Sequence, residues 1–381
     1  MKILFICENY HPHQGGAEVL FKNLTEGLMN TGNEVLVITH LLPKTAKQEI
    51  ISGVTIKRIF SFDSRYVFSF FAIPRAILEA RKHDIIQTTT FNAAFPAWIA
   101  AKICRKPAVL TVHEVWVGKW KEITGSSWLS CVLHNFLERL IYRLPFDQYI
   151  CVSEATTRDL LNIGIPPEKA TTIYNGFDYS FWSPQNFTQK DAAEFRKKNN
   201  LQDKFVFFSW GRPGPSKGFE YAIKAMPSII KEVPNVILVL MFGSIEKYPT
   251  KYAELLKLIR EINLPENIKV IPSLPYEQLG IALKAADAVI IPSVSEGFGY
   301  TTLEAVTMKK PVVISNAGSL PEVVSGKYQI FESKNVVDLA EKAIKVAKRD
   351  YLKKKEKKFG WEECVREYYE IYSKLLKERK G

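Results

Sequence analysis

Apolar residues follow two rhythms along this chain: short unbroken runs, and longer stretches in which they return every three or four positions. At the start, "KILFIC" is an unbroken run that reads as a buried strand, and "ENYHPHQGG" as a loop. A helix is predicted from Ala17 with Leu20, Leu24 and Leu28 on one face, ended by Gly32, before "EVLVIT" supplies the next strand. This is a strand-helix-strand unit. After Asn200 the order returns, with "FVFFSW" as strand, "GRPGPSKG" as loop, "FEYAIKAMPSIIKE" as helix and "NVILVLMFG" as strand. The repeat predicts an α/β protein of two doubly wound domains.

Further apolar runs fit buried parallel strands: "DIIQTT", "AVLTVHE" and "QYICVS" in the first half, "KVIPS", "AVIIPS" and "PVVIS" in the second. Open α/β sheets bind ligands at the carboxyl ends of their strands, so the polar residues after these runs are the candidates for chemistry. From Asp178 to Asn200 the chain turns polar and reads as the linker and entry to the second domain. Domains are expected over 1–180 and 181–359. Lysine dominates from Lys342 to Lys358, and "WEECVREYYEIYSKLLKERK" then resumes a helical pattern with large apolar residues.

Composition narrows the class. A chain of 381 residues, 46% hydrophobic and 24% charged, suits two ordinary globular domains. The net charge of +12, with a pI near 9.2, favours an anionic partner: nucleic acid, an acidic membrane face or a phosphorylated small molecule. Five scattered cysteines without CxxC spacing suggest neither a disulfide framework nor a zinc site, and fit a reducing cytoplasm. The apolar start is too short for a signal peptide, and "YVFSFFAI" at 66–73 is too short to span a bilayer.

The chemistry-bearing residues sit in three places. In "GRPGPSKGF", Arg212 and Lys217 follow a strand; a guanidinium fork and an ammonium suit a diphosphate, and a solvated turn with two cations is an equally good reading of this loop alone. In "SEGFGYTTLEA", Glu296 follows a strand and a helix is predicted to begin near Tyr300 or Thr301, its N-terminus open to an anion. Glu304 then lies one turn in and could accept from vicinal ribose hydroxyls. The plainer readings, a dipole-stabilising glutamate and a loop residue, hold for each taken singly. His113 ends a predicted strand, where a packing role is the commoner one, and His11 with His13 lacks further metal ligands nearby. The Gly15-Gly16 pair admits close approach of a ligand or a simple turn.

Together these segments resemble a known family. "SEGFGYTTLEA" looks like the EX7E signature of the retaining nucleotide-sugar glycosyltransferases of family four, with Glu296 and Glu304 as its glutamates. "HPHQGGAE", "TVHEVW", "VSEATTRDLL", "YNGFD", "GRPGPSKGF" and "PVVISNAGSLPEVV" fall in the family's order across nearly the whole chain. The resemblance implies the glycosyltransferase-B fold: two facing Rossmann-like domains, the active site in the cleft, and a last helix, 360–381, that crosses back to the first domain. It implies that Arg212, Lys217, Gly16, Gly299, Tyr300 and Thr301 hold the donor diphosphate and Glu304 the ribose. Glu296, Gly297, Phe298 and His113 would meet the transferred sugar, with His113 and Glu296 closest to the chemistry, and Gly243, Ser273 and Leu274 would lie near the base. No cofactor or metal would be required, since the substrate itself is the nucleotide sugar, UDP- or GDP-linked. The sequence departs from the family's pattern at "MKKPVV" and at "AGSLPE", which carries one glycine where a pair is frequent.

The expected activity is therefore retaining transfer of a hexose to a hydroxyl of a glycan or lipid-linked acceptor. An epimerase or sugar-phosphate synthase of the same fold is the alternative, and a nucleic-acid-binding protein a remoter one that lacks any recognisable binding motif. Aromatic and basic residues mingle in two stretches of the first half. One carries Trp116, Trp120 and Trp128 with Lys119, Lys121, Arg139 and Arg143; the other is "SFDSRYVFSFFAIPRAILEARK". These suit peripheral contact with an anionic membrane at the cytoplasmic face, or equally well a core and cleft wall.

Overall fold

The computed structural model describes residues 1–13 and 15–379. The chain forms two compact units. The first comprises 1–118, 128–177 and 359–381; the second comprises 119–127 and 178–358. The second unit thus includes Lys119–Ser127, a segment expected within 1–180. Its short helix, Trp120–Thr124, packs on the turn at Pro215–Lys217, and Lys334 Nζ reaches Glu122 Oε1 at 2.7 Å.

In the first unit the strands are β1 (Lys2–Ile6), β2 (Glu34–His40), β3 (Gln48–Ile51), β4 (Val54–Ile59), β5 (Ile85–Thr89), β6 (Ala108–Val112), β7 (Gln148–Cys151) and β8 (Ala170–Thr172). They form one sheet in the order β3-β4-β2-β1-β5-β6-β7-β8, parallel except for the β3–β4 pair. The helix Gly16–Asn30 buries Leu20, Leu24 and Leu28, and the left-handed Gly32 (φ 82°) follows its end. β5, β6 and β7 are buried throughout, as parallel strands covered on both faces must be.

The final helix, Trp361–Glu378, belongs to this first unit. It docks so closely that the indole of Trp361 lies where a side chain on Gly176 would be, and Val365 occupies the space beside Gly27. Its buried tyrosines carry hydroxyls into the core and find partners there. Tyr372 donates to Gln87 Oε1 at 2.8 Å, and the Tyr368 hydroxyl pairs with Thr111 Oγ1 at 3.0 Å. Gln87 Nε2 in turn donates to Thr111 Oγ1 at 2.9 Å, closing a buried network between β5, β6 and the helix.

In the second unit the strands are β9 (Phe205–Gly211), β10 (Val236–Phe242), β11 (Ile268–Ile271), β12 (Ala288–Ile291), β13 (Val312–Ser315), β14 (Gly326–Phe331) and β15 (Leu352–Lys354). Their order is β11-β10-β9-β12-β13-β14-β15, parallel except for β14–β15. Strand order therefore reverses between β9 and β12, the place where doubly wound sheets open a ligand crevice. The stretch expected as a linker is folded: Gln189–Lys198 is a helix, Trp182 and Phe187 are buried, and the Phe187 ring sits where Gly280 leaves room for it. Its polar composition hid two aromatic anchors.

Candidate functional site

The loops after β9 and β12 meet at the reversal point of the second sheet. Ser216 O accepts the amides of Val294 at 2.7 Å and Ser295 at 3.3 Å. Gly218 adopts a left-handed conformation (φ 63°), and a side chain there would collide with the carbonyl of Pro292. Only glycine allows this approach without strain. The consequence is a fixed place for Lys217: its Nζ lies 2.7 Å from Glu296 Oε2, which also accepts from Ser293 Oγ at 3.2 Å. Both members of the pair are mostly buried, and a partly buried pair of this kind depends on each partner remaining charged.

The Glu296 backbone is clamped from the other side. Its carbonyl accepts the Ser319 amide at 3.1 Å and the Ser319 hydroxyl at 3.2 Å, while left-handed Gly318 (φ 51°) leaves space that a side chain would take from that same carbonyl. Gly299 (φ 91°) then turns the chain into the helix Tyr300–Thr307. Phe298 is buried and meets the Tyr300 ring edge to face at 5.1 Å between centroids.

Glu304 is buried on the inner face of that helix, and the indole Nε1 of Trp210, near the end of β9, donates to its Oε2 at 3.1 Å. Burial raises its carboxyl to about 7; the Trp210 hydrogen bond and the Lys217 charge oppose this, while the Glu296 charge adds to it. Trp210 stacks on Phe208 at 5.1 Å and 12° between planes, which fixes the indole. The Tyr276 hydroxyl accepts from Trp182 Nε1 at 3.1 Å; its phenol is raised first by burial and then by the Glu304 charge. Ser209, Trp210, Lys217, Phe219, Ser293 and Thr301 line a small cavity at this point.

Lys217, Glu296, Gly297, Phe298, Gly299, Tyr300, Thr301 and Glu304 are thus gathered at the reversal point. Arg212 directly follows β9 and is exposed, its carbonyl accepting the Gly214 amide at 2.8 Å. Gly243 and Ser273 lie together at the ends of β10 and β11, and the Leu274 amide rests on Met241 Sδ at 3.4 Å. Trp210 and Tyr276 escaped the sequence reading, and Gly318 and Ser319 entered it only within "AGSLPE", with no role of their own. A tryptophan in an apolar run reads as core, and nothing in the sequence gives Gly318 its positive φ.

His113 and Gly16 belong to the first unit. Gly16 opens the helix Gly16–Asn30, and His113 follows β6 with its ring edge-on to Phe21 at 5.8 Å. Burial lowers the imidazole to about 4 against the opposing charge of Glu18, so it is neutral at neutral pH, and its buried Nε2 has no protein partner. Glu18 pairs with His13 Nδ1 at 3.0 Å; burial raises its carboxyl, yet the His13 contact and its own backbone amide outweigh this and leave it lowered. A side chain on Gly15 would strike that carboxylate. Among the described residues no group of three or more His, Cys, Asp or Glu could hold a metal ion.

Comparison with known proteins gives these arrangements a context. The family described as Glycosyltransferase Family 4 matches residues 14–181, and that described as Glycosyl transferases group 1 matches residues 191–362. An uncharacterized glycosyltransferase of Methanocaldococcus jannaschii is 29% identical over 85% of this chain and 83% of its own. A phosphatidylinositol N-acetylglucosaminyltransferase subunit of Saccharomyces cerevisiae is 22% identical over 98% of this chain and 83% of its own. Among solved structures, Anabaena HepE in complex with UDP and glucose matches with a TM-score of 0.74 at 19% identity, covering 98% of this chain and all (100%) of its own. Sucrose-phosphate synthase from Thermosynechococcus elongatus matches with a TM-score of 0.78 at 18% identity, covering 99% and 100%. This likeness establishes the fold as that of the glycosyltransferase-B class, two α/β units each built on a mostly parallel sheet.

Proposed function

Because the chain belongs to glycosyltransferase family 4, its two halves matching that family and the group 1 glycosyl transferases, we propose that it is a retaining hexosyltransferase. The donor is a UDP- or GDP-sugar, and the acceptor a hydroxyl of a glycan or lipid-linked saccharide. The observation that carries this reading is the meeting of Lys217, Glu296 and Glu304 at the reversal point of the second sheet, beside the N-terminal end of the helix Tyr300–Thr307.

In the proposed reaction the bond between the anomeric carbon and the donor phosphate oxygen breaks, its electron pair leaving with the nucleoside diphosphate. The acceptor oxygen bonds to the anomeric carbon on the same face and gives its proton to a donor phosphate oxygen. The greatest demand is for stabilising charge on the leaving group. Lys217 supplies a cation held in place and Arg212 a second, exposed one, and the amides of Gly299, Tyr300 and Thr301 the positive end of a helix. Glu304, with a carboxyl that ionises near neutral pH, accepts the ribose hydroxyls, and Glu296 those of the sugar. Neutral His113 serves as a hydrogen-bonding group toward the sugar and not as a cation. Gly16 lends its amide at the head of its helix, and Gly243, Ser273 and Leu274 border the base.

A thermal-shift screen of UDP, GDP, ADP and their sugars, followed by transfer to an added acceptor, tests the reading, since a ligand that binds the folded state raises its melting temperature. A nucleotide sugar should stabilise the protein and be consumed with formation of a new glycoside. No stabilisation by any of these nucleotides would overturn the proposal. Release of free sugar without transfer would turn it toward an epimerase.

A further inference from the structure

One helix of the first unit is amphipathic in the wrong sense for a soluble surface. Trp128–Arg143 turns Glu138 and Tyr142 inward, with Glu138 Oε1 accepting the Trp116 amide at 2.8 Å. Its outward arc carries Trp128, Leu129, Val132, Leu133, Phe136 and Leu140, at the i, i+1, i+4, i+5 spacing of one helical face. Trp128 is 68% exposed and Leu129 72%, values of residues covered by nothing. These positions are therefore not core.

Arg139 and Arg143 project on that same arc at 100° per residue, and both are exposed. Neither forms an ion pair among the described residues, and the outward arc bears no carboxylate. A second aromatic group adjoins it: the Tyr66 hydroxyl pairs with His134 Nε2 at 2.9 Å, which brings up the helix Arg65–Ala80 with exposed Phe70 and Phe71 and, just before it, Phe62. Phe62 and Phe71 pack edge to face at 6.2 Å.

We propose that this face docks on an anionic lipid bilayer, the apolar side chains entering the headgroup boundary and Arg139 and Arg143 meeting lipid phosphates. Charge decides the occupant. A second copy of the chain would offer this arc only its own arginines, like charges facing each other across a two-fold interface. An anionic surface offers each of them a counter-charge while also taking the apolar side chains, and tryptophan suits the boundary because its ring is apolar and its N–H polar. No helix of the described residues is long and apolar enough to cross a membrane, so contact of this kind is lateral. The inference uses none of the donor residues and stands independently of them.

Flotation of the full chain with phosphatidylcholine vesicles, with and without phosphatidylglycerol, tests it. The protein should float with the anionic vesicles and release at high salt. Leu129→Asp with Leu133→Asp should abolish flotation, and Arg139→Gln and Arg143→Gln should each weaken it about fivefold. All four positions are exposed, so melting temperature and nucleotide-induced stabilisation should be unchanged, which separates this proposal from the donor assignment. No flotation with anionic vesicles, or equal flotation of the aspartate variant, would overturn it. So would a dimer in light scattering that Leu133→Asp dissociates, which would assign the face to a second copy.

Discussion

Lys217 and Glu296 hold each other at 2.7 Å, the cation assigned to the donor diphosphate on the carboxylate assigned to the sugar. In the free protein each neutralises the other, and donor binding must share them out. Removing either partner should therefore have different effects on nucleotide and on nucleotide sugar. Lys217→Ala should lower kcat/KM by about two to three orders of magnitude, the cost of losing one fixed donor to a developing charge. Glu296→Gln should lower transfer comparably while leaving nucleoside diphosphate affinity equal or tighter, because Lys217 loses a competing anion. Titration calorimetry with the diphosphate alone, beside a transfer assay, distinguishes them.

Glu304 makes stability depend on pH. Its folded carboxyl ionises at about 7 and its unfolded one near 4.5, so between these values the folded state binds the extra proton. Stability should fall as pH rises through that window and level off above it, by up to about 3 kcal/mol for a shift of this size. Glu304→Gln should match the parent's melting temperature near pH 4.5 and exceed it increasingly toward pH 7. The same variant should bind nucleotide more weakly, and the gain in affinity that the parent shows as pH rises through 7 should be absent.

The indole of Trp210 tests whether Glu304 is positioned or merely buried. Trp210→Phe keeps a ring on Phe208 but removes the Nε1–H that lowers the carboxyl. The pH midpoint of nucleotide binding should move upward, with affinity at neutral pH falling about tenfold for a lost hydrogen bond to a charged group. Binding measured across pH gives the shift, and an unmoved midpoint would show that the bond does not act on Glu304.

Gly318 bears on the opposite side of the site. Its left-handed backbone and the nearness of the Glu296 carbonyl both exclude a side chain. Gly318→Ala should destabilise the protein by roughly 1–3 kcal/mol, the range for strained backbone, and should reduce turnover well beyond what the unfolded fraction explains. Chemical denaturation and kcat on the same preparation separate the two losses.

Periodicity in the sequence was sufficient for the alternation of strand and helix, because parallel strands buried on both faces are written as unbroken apolar runs: β10, "VILVLMF", is buried at every position. The strand ends and the start of the helix at Tyr300 followed from the same pattern together with the glycines. What the sequence does not carry is the partner of each side chain. Trp182 lies in a stretch polar enough to read as linker, yet it is buried; Trp128 lies in a stretch that fits membrane contact and core equally well, and it is exposed. In both cases the environment comes from elements distant in sequence. The short edge strands β3 and β15 were missed for a related reason, since their residues are polar or exposed and their pairing depends on a neighbouring strand.

The docking of Trp361–Glu378 also sets the order in which the chain can finish folding. Domains usually fold as they emerge during synthesis, the amino-terminal one first. Here the first unit lacks the tyrosine hydroxyls that pair with Gln87 and Thr111, and the wall behind Gly176, until the final helix has been made. The second unit, closed by residue 358, has all its segments earlier. The unit that begins first is completed last, and a ribosome that stalls before the last helix leaves it with an open apolar flank.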